Sequence, residues 1–411
     1  MHRPPTTDHQ PPTTVPLIDI TRQYSALRDE IQQAISRICS AGQFVLGPDC
    51  RTLEERLAGY CGAPHAIACA SGSDALLLAL MACGVGPGDE VLVPSFTFFA
   101  TAGAVSRLGA VPVFVDIDPA TFNIDHRQIA ARISRATKAI IPVHLYGQCA
   151  EMQPICELGR ERGLAVIEDA AQAIGAEYHG VRAGAIAPVA CFSFYPTKNL
   201  GGFGDGGALT TLDADIAARL KMLRVHGEVA RYHHQVVGIN SRLDTIQAAV
   251  LNIKLDHLER WTRQRQQHAE RYFELFSELS LAKVLTLPRA ASGRRHVWNQ
   301  YVVRVPDGRR DALREHLTQH KIGTQIYYPI PLHRQECFAD LGYEPGSLPE
   351  TERAARETLA LPIFPEMTGA EQQAVVRQVG AFFGVRTGKT QSIPAPKFLL
   401  RSEVGRVKGE G

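Results

Sequence analysis

From Ala66 to Leu212 the chain alternates two textures. Short runs that are apolar at nearly every position (EVLVPS, VPVFVDI, KAIIPVHL, LAVIED) are separated by longer runs whose apolar residues recur at helical spacing. The helical runs are SDALLLALMA, ATAGAVSRLG and the stretch from Ala150 to Gly163. A strand with one wet face alternates apolar and polar residues, whereas a run with no polar positions is covered on both faces. The pattern therefore predicts an α/β fold, with a mainly parallel central sheet and helices on both sides. A long helical region follows from Leu243 to about Leu279, with Arg, Gln and His at solvent-facing spacing. Beyond it, QYVVRV, the helical RRDALREHLTQH and IGTQIYY predict a smaller C-terminal α+β domain. The boundaries drawn from this pattern are a large domain at 15–265 and a small domain at 266–385. A Pro/Thr leader at 1–14 and a polar, basic tail at 386–411 read as disordered.

One segment departs from the alternation. CFSFYPTKNLGGFGDGGALTTL, residues 191–212, runs from an apolar strand-like start through a single lysine into a string of glycines. Gly202, Gly204 and Gly207 satisfy G-x-G-x-x-G, but a dinucleotide fingerprint follows a strand and opens a helix. Here the glycines lead into GALTTL, a β-type run. A Walker phosphate loop is excluded as well, because its lysine follows the glycines and Lys198 precedes them. The glycines instead read as a flexible turn that lets the backbone pass close to something bulky.

Composition narrows the class. The 411 residues carry a net charge of +2, which favours neither nucleic acid nor a membrane surface. No apolar run approaches the length of a membrane span, and the leader lacks the apolar core of a signal peptide. Nine cysteines, an odd number with no C-x-x-C pair, point to reduced thiols and a cytoplasmic location. His233 and His234 have no third ligand at a suitable spacing, so no metal is expected.

In an open α/β sheet, chemistry gathers beyond the carboxyl ends of the strands. Three such ends carry suggestive groups. ACASGSDALLLAL puts Ser71, Gly72 and Ser73 at a helix start, where free amides and hydroxyls suit a phosphate; Ser73 serves equally as a plain helix cap. LAVIEDAAQAIGA ends a strand on Glu168 and Asp169. A carboxylate there either caps a following helix or pairs with a cationic ring nitrogen, where a low dielectric strengthens the bond. CFSFYPTK adds Ser193 and, five residues on, Lys198. That lysine is either a solvated surface charge or a nucleophile and base whose pKa burial has lowered. A phosphate seat, a buried acid and a lysine together suggest pyridoxal 5′-phosphate, which needs all three.

From about Val15 to Phe383 the chain resembles the DegT/DnrJ/EryC1/StrS family of sugar aminotransferases. The resemblance is carried, in order, by GQFVLGP, SGSDALLLAL, GDEVLVPSFTFFATA, VHLYGQ, IEDAAQA, SFYPTKNLGGFGDGGA, GINSRLDTIQAAVL and YYPIPLH. It implies the three-layer PLP-transferase architecture of fold type I, like that of aspartate aminotransferase. It further implies that Lys198 forms the Schiff base, Asp169 contacts the pyridinium nitrogen, Gln172 lies near the ring hydroxyl and Phe98 stacks on the ring. Gly72, Ser73 and Ser193 would hold the phosphate, joined by Asn240 of the other subunit in a homodimer with shared sites. Relatives with histidine in place of the lysine act as sugar dehydratases, and Lys198 sets this chain apart from them.

RYHHQVVGINSRLDTIQAAVL is more similar to the members that act on 3-keto nucleotide sugars than to those acting on 4-keto sugars. In that branch Gly42, Phe44, Thr197, Arg242, Tyr327 and Tyr328 fall where the nucleotide sugar is held, and glutamate is the expected amino donor. Arg242 suits oxyanions because its planar fork binds them in pairs; a structural ion pair at the dimer interface is its plain alternative. Four positions depart from the family pattern. Ile174 stands where a histidine is common and Ser73 where threonine is common. Phe44 and Tyr327 stand where the 3-keto subgroup has tyrosine and histidine. A 4-keto sugar aminotransferase and a regulatory homologue without catalysis are the alternatives.

Overall fold

The computed structural model describes residues 14–385. The expected leader, apart from Thr14, and the expected tail lie outside the described residues. At the centre is a sheet of seven strands: β1 (His65–Cys69), β2 (Glu90–Pro94), β3 (Val111–Val115), β4 (Thr137–Ile140), β5 (Ala165–Asp169), β6 (Val189–Ser193) and β7 (Gly207–Thr211). In space they run β1-β7-β6-β5-β4-β2-β3. The five from β3 to β6 are parallel, and β7 is antiparallel to both β6 and β1. The four apolar runs became β2 to β5. Their lack of alternation has the expected cause: successive residues enter opposite cores, Val91 and Val93 one, Leu92 the other.

Helices cover both faces. On one side lie α1 (Ile20–Ala41), α2 (Pro48–Cys61), α5 (Met152–Arg162) and α7 (Thr245–Leu255); on the other lie α3 (Gly72–Ala82), α4 (Ala100–Arg107) and α6 (Ala214–Leu223). The sequence of α3 is apolar all round, and Ala75 through Leu80 are buried accordingly. The helical region expected from Leu243 to Leu279 divides into α7 and α8 (Leu258–Glu278), with a break at Asp256 and His257.

The C-terminal core gathers around α9 (Arg310–Gln319), α10 (Pro349–Glu357), α11 (Gly369–Phe382) and a strand pair, β8 (Tyr301–Arg304) with β9 (Thr358–Leu361). The boundary expected at 265/266 falls inside α8. Leu258 of this helix packs in the core beneath the main sheet, and Tyr272 and Phe276 pack in the C-terminal core. Val15 also packs in the C-terminal core. IGTQIYY does not form a strand. Its backbone bonds are divided between Val15, which pairs with Ile322, and Ala360, which pairs with Gln325, so no ladder is long enough to register as one.

Where β1, β6 and β7 meet the start of α3, backbone touches backbone. A Cβ on Gly207 would lie 2.4 Å from the Ser71 carbonyl oxygen, and one on Gly72 would lie 2.7 Å from Ser193 Cβ. Gly207→Ala should therefore lower the unfolding free energy by about 1–3 kcal/mol. Gly59→Ala lies in the exposed interior of α2, where an added Cβ meets nothing within 4 Å. It should raise the unfolding free energy by about 0.5–1 kcal/mol. Urea unfolding followed by circular dichroism compares the two, and equal midpoints would remove the steric account.

Candidate active site

The site is assembled at the carboxyl ends of the parallel strands. Beyond β2 the chain turns through Ser95–Phe99, placing the Phe98 ring at the surface with 57 % exposure. Its centroid is 6.2 Å from that of Tyr328. β5 ends on Asp169, which is 4 % exposed. No regular helix follows for Asp169 to cap. One carboxylate oxygen instead accepts the Thr101 hydroxyl at 2.7 Å, and the other accepts the Ala171 amide at 3.2 Å. The neighbouring Glu168 is turned into the core. It binds His144 at 2.9 Å and accepts the amides of Gly184, Ile186 and Ala187, a structural set that leaves Asp169 as the candidate acid.

β6 ends on Ser193, and the chain then folds back so that the Lys198 amide donates to Tyr195 O at 2.8 Å. Lys198 is half-buried, and among the described residues its Nζ makes no hydrogen bond or ion pair. Burial is the larger influence on its pKa, pulling the ammonium down to about 8 against the attraction of Asp169. Burial likewise dominates at Asp169 and pushes the carboxyl above its ordinary value, opposed by the Thr101 hydroxyl, the Ala171 amide and Lys198.

The start of α3 lies against Ser193. Its cap is Ser71, whose hydroxyl accepts the Asp74 amide at 3.1 Å. Ser73 is not the cap. It is exposed, with no hydrogen bond to its hydroxyl among the described residues. As the first residues of the helix, Gly72 and Ser73 have amides with no intrahelical acceptor. Gln172 is 7 % exposed and is held at both ends: its Oε1 accepts the Tyr146 amide at 2.6 Å, and its Nε2 donates to the Tyr328 hydroxyl at 3.2 Å. Tyr146 in turn donates its hydroxyl to Tyr327 O. Thr197 is exposed beside Lys198.

Gly42, Phe44, Asn240 and Arg242 stand on a different wall. Gly42 ends α1 in the left-handed region at φ 67°, and the Phe44 carbonyl accepts the Thr245 amide at 2.9 Å. Next to them a cavity of about 340 Å³ is lined by Val45, Asp205, Asn240, Arg242 and Gln247, among others, but not by Lys198 or Asp169. Arg242 forms no ion pair among the described residues. His233 and His234 are exposed on a short hairpin. Among the described residues no group of three or more potential metal ligands comes together, and no helix is long and apolar enough to cross a membrane. Ile174 is 5 % exposed and packs in the core beneath the sheet.

Sequence reasoning missed Thr101 and Tyr146. Thr101 had left a signal, a hydroxyl on the buried face of a short helix, and that hydroxyl needs a partner. The residues present fit pyridoxal phosphate on observations of this chain alone. Among the described residues they supply an amine with no hydrogen bond or ion pair, a buried carboxyl with no ion pair, and a glycine-lined helix start with amides that find no acceptor.

A model of the DegT/DnrJ/EryC1/StrS aminotransferase family matches residues 25–380. A pleiotropic regulatory protein of Geobacillus stearothermophilus is 50% identical over 90% of this chain and 98% of its own. A UDP-N-acetyl-3-dehydro-alpha-D-glucosamine 3-aminotransferase of Acidithiobacillus ferrooxidans is 45% identical over 86% of this chain and 94% of its own. The crystal structure of S. venezuelae DesV in complex with a ketimine intermediate superposes with a TM-score of 0.87 at 43% identity, covering 90% of this chain and 98% of that one.

An amine reacts when neutral, so a pKa near 8 makes Lys198 reactive at lower pH than exposed lysines, which need about pH 10. Acetic anhydride labelling of the cofactor-free protein across pH, read by peptide mass spectrometry, should give half-maximal modification of Lys198 near pH 8. A midpoint coinciding with that of exposed lysines would mean the burial is ineffective.

Proposed function

The chain belongs to the DegT/DnrJ/EryC1/StrS aminotransferase family, and from that premise we propose that it moves the amino group of glutamate onto the 3-keto carbon of a nucleotide-linked deoxysugar, acting as a cytoplasmic homodimer. The cofactor is pyridoxal phosphate. The observation that carries the reading is the meeting, at the carboxyl ends of the central strands β5 and β6, of a half-buried amine with no hydrogen bond or ion pair among the described residues and a buried acid raised by desolvation.

When bound, the cofactor supplies an aldehyde that takes up amine nitrogen and a protonated ring that accepts electron density from the reacting carbon. The Lys198 amine would bind the aldehyde and, once released, move the proton between the substrate carbon and the cofactor. Asp169 would hold the proton on the ring nitrogen, and Thr101 keeps its carboxylate aimed. The amides of Gly72 and Ser73 and the hydroxyls of Ser73 and Ser193 would bind the phosphate. Phe98 would cover one ring face, and Gln172 would orient the ring hydroxyl. Thr197, Tyr327 and Tyr328 would meet the sugar from the same protomer. Gly42, Phe44, Asn240 and Arg242 would meet phosphate and nucleotide from the partner, with the Arg242 fork suited to a diphosphate.

The dimer is supported by exposed apolar side chains on the same segments: Val45, which lines the cavity with Asn240 and Arg242, is 54 % exposed, and Val237, three residues before Asn240, is 90 % exposed. Transfer to C3 is supported by the relative whose description is a 3-aminotransferase of a 3-dehydro sugar nucleotide. The relative described as a pleiotropic regulatory protein favours a second reading, a regulator that retains the fold. The free amine of Lys198 and the buried acid Asp169 weigh towards catalysis, since regulation alone requires neither.

Incubation with glutamate and a panel of 3-keto and 4-keto nucleotide sugars, followed by mass spectrometry, should show a 3-keto member gaining an amine. Turnover of 4-keto sugars alone would overturn the position, and no turnover at all would favour the regulator. Asp169→Asn should still bind the cofactor but lose turnover on the order of 10²-fold; near-normal rates would exclude its role. Lys198→Ala and Asn240→Ala protomers, each inactive alone, should regain activity as a mixed dimer. Verified mixed dimers without activity would count against shared sites.

A further inference from the structure

Two polar side chains of α7 reach the turn that follows Lys198. Gln247 and Lys254 stand seven residues apart, two helical turns. Gln247 Oε1 accepts the Phe203 amide at 2.7 Å. The same side-chain amide lies where side chains at 202 and 204 would begin: a Cβ on Gly202 would sit 2.8 Å from Gln247 Oε1, and one on Gly204 would sit 3.1 Å from Nε2. Lys254 Nζ donates to Gly201 O at 2.7 Å and lies 5.1 Å from the Phe203 ring centroid. On its near side the turn is closed by its own backbone, with the Gly202 amide on Phe194 O at 2.7 Å and the Lys198 amide on Tyr195 O at 2.8 Å.

Lys254 is an unusual occupant of its position. It is 3 % exposed, and the bond to Gly201 is the only hydrogen bond of its ammonium among the described residues. A buried ammonium with a single acceptor is costly, and burial pushes it down to about 8 against the pull of Glu366. An apolar side chain of similar length would fill the space without that cost. What it could not do is bind the Gly201 carbonyl. The glycine pattern acquires a meaning of the same kind: positions 202 and 204 lack side chains so that the Gln247 amide can lie across the turn.

We propose that Gln247 and Lys254 are positioning residues for Lys198, clamping the 201–204 turn against α7 and so keeping the Lys198 amine in its half-buried place. The functional meaning of the clamp rests on the reading of Lys198 as the cofactor-binding amine. Neither side chain needs to touch the cofactor. Loosening the turn lets water reach Lys198, and since burial is what lowers its pKa, its reactivity then moves to higher pH.

The test uses the full chain, cofactor-free for labelling and then titrated with pyridoxal phosphate. Lys254→Met and Gln247→Leu should each raise the pH of half-maximal Lys198 acetylation by about half a unit or more. They should weaken pyridoxal phosphate binding about tenfold. Lys254→Arg, which keeps a cation able to reach Gly201, should recover most of both. Ile253→Ala, next to Lys254 but packed against Leu27 and Ile31 of α1, should lower the melting temperature and leave the labelling midpoint unchanged. Wild-type midpoint and affinity in both Lys254→Met and Gln247→Leu would overturn the clamp. If Lys254→Met fails to fold, the half-buried Gln247→Leu decides alone. A midpoint that moves as expected in a protein that never takes up pyridoxal phosphate would uphold the clamp and overturn the functional reading instead.

Discussion

Removal of water from one amine and one acid is the constraint around which the molecule is organised. Lys198 and Asp169 are held where burial disfavours the charged form of each, so the amine is drawn down and the carboxyl is pushed up. In water neither group would be a useful catalyst at neutral pH, the amine being protonated and the carboxylate well solvated. The environment that changes this is made by apolar structure: two helical layers pressed on a sheet whose strands are buried on both faces. On the proposed reading, the chemistry is a property of the core as much as of the two residues. Substitutions that admit water near β5 or β6 should act on it even when they touch neither group.

A second requirement is that chain segments far apart in sequence approach closely at the strand ends. Ser71, Gly72, Ser193 and Gly207 meet with backbone contacts that leave no room for a methyl group. This is why the glycines around Lys198 resemble a nucleotide cradle without being one. None of those from Gly201 to Gly207 uses a left-handed conformation. They are small because other atoms occupy the space: carbonyls of Pro196 and Tyr195 at 201, the Gln247 amide at 202 and 204, Leu243 at 206, Ser71 at 207. The flexible turn expected from the sequence is a packed one.

What the sequence disclosed follows from which interactions are periodic. β2 to β5 and the apolar α3 were legible because burial on both faces erases the polar positions. The break between α7 and α8 was not, since Asp256 and His257 sit among residues that suit a helix on either side. IGTQIYY carries strand composition but lacks a partner of sufficient length, and partnership is decided elsewhere in the chain. The Lys198, Asp169 and Ser193 group was legible as a set of strand ends. The choice of Ser71 over Ser73 as cap depended on where the helix begins, with Ser71 extended just before Gly72 and its hydroxyl on the Asp74 amide. Gln247 reads with the solvent-facing residues of its helix and Lys254 draws no reading at all, because composition does not reveal which face a helix turns inward.

The division between sheet-borne and loop-borne residues bears on how such a site changes its substrate. Asp169, Ser193 and the α3 start are fixed by the core, so altering them disturbs the fold. Phe44, Arg242, Tyr327 and Thr197 sit on connections outside the sheet, where exchange costs little stability. Two of them, Phe44 and Tyr327, are also positions where this chain departs from the 3-keto subgroup it otherwise resembles. Ser73 and Ile174 are departures that lie near the sheet; Ile174 has become part of the apolar core, so the polar contact a histidine would make there is replaced by packing. On the proposed reading, differences in the reaction partner belong to the loops, while the chemistry stays with the sheet.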